Sequence, residues 1–335
     1  MVKSVGKNDR KLSIIVLVTF LFGCSEPKKD PQNAYNHLSE APIDLGIISQ
    51  DATVAAFLYG GKVTVSDISS AKIMNQFEVD QLNASDLSLS QDNSLLAVSF
   101  ENKLSVWDLR KNALKGQFSI AGHSEFAKIS QVVIYANPML VLAGMTDGTL
   151  NLVDFENKLT KQAKLHDAKI SHLNLGEHRQ LIMSAGHDGQ IKLSHVTSLT
   201  PKYSYALEKR VTSAASGALN ETLFVSDALN EQYLLKPFSD TGMPIKLNYR
   251  ERFRWFRAAA FSPSGQYLAT GSSKYWWTLW DAKNGRQIDA FEIESATSTA
   301  MILDMHFNKD NILTTLSSDG IIEFWDINTL AANPK

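Results

Sequence analysis

WTLWDAK, residues 277–283, decides how this 335-residue chain folds. Apolar and polar side chains alternate into Trp280-Asp281, and a period of two places successive residues on opposite faces of a strand. The same pattern stands in LSVWDLR (104–110) and IEFWDIN (322–328). Weaker copies are VTVSDIS, ending its strand at Asp67, LNLVDFE at Asp154, IKLSHVT at His195 and YLLKPFS at Pro237. Counted outward from Asp281, the seven anchors at 67, 108, 154, 195, 237, 281 and 326 recur every 41–46 residues. A period of this size marks stacked supersecondary units, each burying its apolar face against the next. Each unit also carries a preceding apolar strand, such as LLAVSF (95–100) or YLATGS (267–272). Asp-Gly turns at 147–148, 188–189 and 319–320 join the two strands, a hairpin chemistry that works because glycine accepts positive φ without steric cost.

With AAAFSPSGQYLATGS (258–272) followed by LWD (279–281), the chain resembles the WD-repeat β-propeller family over residues 32–330. The resemblance implies an all-β, seven-bladed β-propeller with four-stranded antiparallel blades. The Gly-His pair that opens a typical repeat stands at Gly122-His123, with His166-Asp167 a partial echo. Blades one and five diverge most, and no blade shows in its sequence the whole His, Ser/Thr, Asp and Trp tetrad that stiffens blades of this family. The last Trp-Asp strand ends near Ile327, so the seventh sheet is one strand short, and QNAYNHLSE (32–40) has the length to supply it. Pairing an N-terminal strand into the last blade removes an exposed sheet edge. It also places the preceding tether on the rim of blade seven.

The first 23 residues read as an export signal, with basic residues followed by the apolar run 12–22. A membrane-spanning helix needs roughly 20 apolar residues, so this run is too short to stay in a membrane. Leu21-Phe22-Gly23-Cys24 resembles the lipobox of bacterial lipoproteins, in which the cysteine is lipidated and becomes the first residue. Phe22 is larger than the pattern prefers, and a secreted protein with one spare cysteine is the alternative. Ser25 resembles the outer-membrane sorting signal of Gram-negative bacteria. The expected organisation is therefore a signal peptide (1–23), a lipidated tether (24–31), the propeller (32–330) and a short tail (331–335). The expected location is the outer membrane, facing the periplasm.

Cys24 is the single cysteine, so no disulfide holds the fold and stability must come from a packed core. The formal charge is −2, and removal of 1–23 takes away Lys3, Lys7, Arg10 and Lys11 against Asp9, making the remainder three units more negative. A mildly acidic chain without a basic run does not fit nucleic acid as a partner.

Five of the eight histidines, His166, His172, His178, His187 and His195, crowd into blade four. Zinc needs three or four ligands converging at about 2.0–2.2 Å, whereas the repeat spreads these histidines over both faces and the inner strand. Asp188, beside His187, occupies a turn position repeated at Asp147 and Asp319, a structural place first. No G-x-S-x-G elbow, phosphate loop or H-E-x-x-H is present, so neither a catalytic residue, a metal nor a cofactor is expected.

A binding surface is expected instead. Trp280 aligns with Trp107 and Trp325 as a fold residue, and Trp277 falls at an apolar position of every repeat. Trp276 falls where other repeats carry Lys62, Lys103, Thr149, Gln190, Gln232 and Ile321. Tyr275 stands where Gly61, Gly148, Gly189 and Gly320 stand elsewhere, so either the turn has changed type or strain is tolerated there. Arg252, Arg254 and Trp255 enter the same blade on the same face. Arg252, Arg254, Trp255, Lys274, Tyr275 and Trp276 are thus the candidate partner-binding residues, of the types enriched at interface hot spots; the alternative is that the aromatics cover one another. The expected function is a monomeric, non-enzymatic, membrane-anchored scaffold for an unidentified protein of the bacterial envelope. The alternatives are an accessory lipoprotein of outer-membrane protein assembly, and a small-ligand binder or enzyme using the central channel.

Overall fold

The computed structural model describes residues 28–29, 34–79, 84–176, 180–217, 221–239, 242–249 and 255–332. The expected signal segment, Cys24, Arg252, Arg254 and His178 lie outside the described residues. Among the described residues the chain forms seven antiparallel sheets of four strands, one of them carrying an extra fifth. This is the seven-bladed propeller expected from the repeat.

In each blade the chain runs from an inner strand outward. Blade six is typical: Phe256–Phe261, Tyr267–Ser272, Trp276–Asp281 and Arg286–Glu292 lie side by side in that order. The inner strands of neighbouring blades pack against one another in a closed ring, with Ile302–Phe307 of blade seven against Leu45–Ile48 of blade one. Third strands end at Asp67, Asp108, Asp154, His195, Asp281 and Asp326 as expected. Blade five departs: its third strand stops at Leu235, two residues short of Pro237, and its outer strand is the pair Ile245–Lys246.

Apolar alternation buries each face against a neighbouring blade. Trp277 and Leu279 pack toward blade seven with Phe291, Met305 and Trp325. Trp280, one residue out of phase, packs toward blade five with Phe224 and Phe256. Both tryptophans are fully buried, and their opposite directions follow from the pleat of the strand.

The ring closes where the ends meet. Ala34–His37 pairs antiparallel with the last strand, His37 opposite Ile321 and Ala34 opposite Phe324, and Leu38 N donates to Gly320 O at 2.8 Å. This is the expected closing strand. The tether departs from its expected place at blade seven. Lys28–Lys29 pairs in parallel with Phe291 and Glu292 on the outer edge of blade six. The last strand is followed by the short helix Ile327–Ala332, whose Ile327 is buried against blade seven.

Candidate functional site

Two sets of loops separate the faces of the ring. Turns between second and third strands touch the segments that lead from blade to blade: a Cβ on Gly148 would lie 1.9 Å from His166 O. We refer to this face as the top. On the opposite face, turns between third and fourth strands meet the turns after the inner strands, as where Arg110 reaches Asp92 at 3.2 Å.

The top-face turns show how the tetrad is distributed. In blade four His166 is enclosed: Nδ1 lies 3.0 Å from Asp188 Oδ1 and Nε2 lies 2.9 Å from Ser184 Oγ. Burial pushes the Asp188 carboxyl up, but the His166 contact and the Gln190 and Asp167 amides outweigh it and hold the group below its ordinary value. The Trp position here is Ser194, whose buried hydroxyl has no partner. Blades six and seven hold the other half, Trp280 Nε1 donating to Thr270 Oγ1 at 2.8 Å and Trp325 Nε1 to Thr315 Oγ1 at 3.1 Å. In blade seven Thr297 substitutes for histidine, its Oγ1 donating to Asp319 Oδ1 at 3.0 Å. In blade two strand register puts Val98 where those threonines stand, and Trp107 Nε1 is buried without an acceptor.

The better sequence match and the working histidine differ. At Gly122-His123 the turn carboxylate of Asp147 accepts Ser124 N at 2.8 Å, whereas the enclosed histidine belongs to the partial echo at His166. A repeat pattern marks position, and only loop conformation decides whether the imidazole reaches the turn.

Blade six has neither turn glycine nor turn aspartate. Tyr275 is absent from the positive-φ residues, so the turn has changed type, and the strain allowed for in the sequence does not arise. Ser272 Oγ accepts Lys274 N at 2.9 Å, and Tyr275 O still accepts Ile293 N at 2.8 Å, the bond made by Gly148 O with Leu165 N in blade three. Tyr275 lines an open pocket of ≈ 390 Å³ together with residues 292–298, among them Glu292, Glu294 and Thr297. Trp276 is half-buried, edge-on to Tyr275 with ring centroids 5.7 Å apart, and Lys274 Nζ sits 5.1 Å over its ring, a cation–π arrangement. Its Nε1 has no partner.

Trp255 is 44% exposed and touches this turn through its backbone, Ser273 N donating to Trp255 O at 3.2 Å. Its indole Nε1 donates to Ala228 O in blade five at 3.0 Å. The structure thus gathers Lys274, Tyr275 and Trp276, and sets the Trp255 ring beside them toward blade five, where Leu229 is also exposed.

The inner strands carry acids that sequence reading passed over. Asp304 Oδ2 accepts Ile48 N at 2.7 Å and Asp86 Oδ2 accepts Val132 N at 2.7 Å. Burial pushes Asp304 up to about 6 against the opposing Ile48 and Met305 amides. Burial pushes Asp86 up to about 7 against the Val132 and Leu87 amides, with Asp304 adding to the rise and Lys169 opposing it. His172, on the inner strand of blade four, is pushed down to about 4 by burial and by the positive charges of His187 and Lys169. The only sequence signal for these acids was a carboxylate at the start or middle of a short apolar strand.

Residues 254–281 match the family described as WD domain, G-beta repeat. The fold is similar to the crystal structure of the β-propeller domain of Cps50 (Swd1) from Myceliophteria thermophila, with a TM-score of 0.70 and 12% identity over 87% of this chain and 99% of that one. Among curated proteins, none matches the chain.

Proposed function

We propose that the chain is a non-enzymatic protein-interaction scaffold of the bacterial cell envelope, lipid-anchored at Cys24 and binding a protein partner through its top face. The propeller with its WD repeat supports the scaffold reading. The lipobox-like Leu21-Phe22-Gly23-Cys24 supports anchoring in the outer membrane, facing the periplasm.

One observation carries the choice of surface. The turn of blade six has Tyr275 where four other repeats carry glycine, without left-handed strain; Tyr275 lines an open pocket, and Trp276 stands edge-on to it with Lys274 over its ring. Exposed Trp255 extends the surface, and Arg252 and Arg254 stand just before it in the sequence. Trp and Tyr bury large areas at low entropic cost, and Trp, Tyr and Arg are enriched where partners anchor. A photoreactive residue at position 276 tests this in the intact envelope. It is expected to capture one protein species, and Trp255→Ala with Arg254→Glu is expected to abolish that capture while leaving the melting temperature unchanged. Capture of the same protein with equal yield by both forms would refute the assignment.

A further inference from the structure

The outer strand of blade six differs from those of blades two, three and four. In blades two, three and four the outer strands Ala113–Ser119, Leu159–Lys164 and Pro201–Ala206 contain no buried residue. In blade six Asp289, Ala290 and Phe291 are 6%, 2% and 5% exposed. Consecutive strand residues point to opposite faces, so burial of three in a row means that both faces are covered. The compositions differ in the same sense. The open edges carry Lys115, Lys161, Lys164 and Lys202, the charges that blunt an edge against pairing, while the middle of RQIDAFE has no lysine.

A backbone partner for this edge is already visible. Lys28–Lys29 pairs with Phe291 and Glu292 and makes the sheet of blade six five-stranded. The direction of pairing carries information. Glu292 lies opposite Trp276 at the top of the blade and Arg286 opposite Asp281 at the bottom, so the strand climbs. The parallel pair climbs with it, so Lys28, the residue nearer Cys24 in sequence, lies on the bottom side of Lys29. Cys24 is four residues before Lys28, within roughly 14 Å of extended chain.

We propose that the outer edge of blade six is the docking edge for the chain's own segment ahead of the closing strand, seated as a parallel fifth strand. Its direction attaches an anchor at Cys24 to the bottom side and turns Tyr275 and Trp276 away from the membrane. The orientation rests on the lipid-anchored reading above; the docking edge does not. The segment is then a rigid strap, and the reach of the scaffold from the membrane is set by the few residues between Cys24 and Lys28.

The test uses the full chain in the envelope of a Gram-negative host. Lys29→Cys with Glu292→Cys is expected to form an intrachain disulfide on mild oxidation, and Lys29→Cys with Glu78→Cys, at the outer edge of blade one, is not. Failure of the 29–292 pair in a protein that melts like the parent overturns the docking edge. For orientation, a fluorophore on Lys283→Cys, in a bottom turn, is expected to be quenched by brominated lipid several-fold more than one on Ser298→Cys at the top. Equal or reversed quenching overturns the orientation. A protein that leaves the membrane fraction with an unmodified Cys24 overturns the anchored reading and the orientation with it, while the 29–292 disulfide still judges the docking edge by itself.

Discussion

Asp304 Oδ2 accepts the backbone N–H of Ile48 at 2.7 Å, joining the inner strand of the last blade to that of the first. The ring therefore closes at two radii, by this bond at the axis and by the pairing of Ala34–His37 with Ile321–Phe324 at the rim. The inner bond is made by a carboxyl that burial pushes up to about 6, and Asp86 repeats the arrangement between blades two and three at about 7.

These acids predict a pH dependence. With the folded pKa above the unfolded value, the folded state binds more protons between about pH 4 and 7, so their contribution is fully present below the unfolded pKa and is lost as pH rises through 6 to 7. His172 acts oppositely: its lowered pKa gives a contribution present above the unfolded value and lost as pH falls toward 4. Asp86→Asn with Asp304→Asn is expected to raise the melting temperature relative to the parent at pH 8, by at least about 1 kcal/mol in stability, and to leave little difference at pH 4. Scanning calorimetry across that range checks it; an equal shift at both pH values would show that the carboxyls are ionised throughout.

The orphaned Trp107 Nε1 predicts a stabilising substitution. Val98→Thr places a hydroxyl where Thr270 and Thr315 receive Trp280 and Trp325, and a satisfied buried donor is worth about 0.5–1.5 kcal/mol. Conversely Trp280→Phe strands Thr270, and is expected to cost about 1–2 kcal/mol more than Trp107→Phe, which loses no hydrogen bond. Denaturant midpoints of the three variants decide the point.

Blade four depends on the His166–Asp188 contact. His166→Ala leaves a buried carboxylate with fewer donors and is expected to cost about 2–3 kcal/mol, and adding Asp188→Ala is expected to cost much less than the sum of the single changes. Because the Asp188 carboxyl is held below its ordinary value, its contribution is present above the unfolded pKa and disappears as pH falls through the folded one. A double-mutant cycle in urea, repeated at successively lower pH, is expected to show the coupling at pH 7 shrink as the Asp188 carboxyl becomes protonated.

Equivalent turn positions should respond differently. Gly148 has φ +87°, and a Cβ there would meet His166 O, so Gly148→Ala is expected to destabilise by more than about 1 kcal/mol. Tyr275→Ala, at the same place in the repeat but outside the left-handed region, is expected to leave the melting temperature nearly unchanged while weakening partner capture at position 276. A comparable loss of stability from both would mean that Tyr275 serves the fold.

The sequence by itself determined the seven-fold repeat, the ends of the third strands in every blade but the fifth, and the closing strand, because alternation of apolar residues with period two and recurrence every 41–46 residues are properties of the chain alone. It also separated Trp277 and Trp280, as packing residues, from Trp276. Three things were decided only by tertiary structure. The enclosed histidine is His166, because a loop from one blade must arrive at the turn of the next. The Trp255 indole bonds to blade five, because its direction depends on a neighbouring blade that the repeat does not encode. And Lys28–Lys29 lies on blade six, because pairing across an outer edge joins segments far apart in the chain, which no local period encodes.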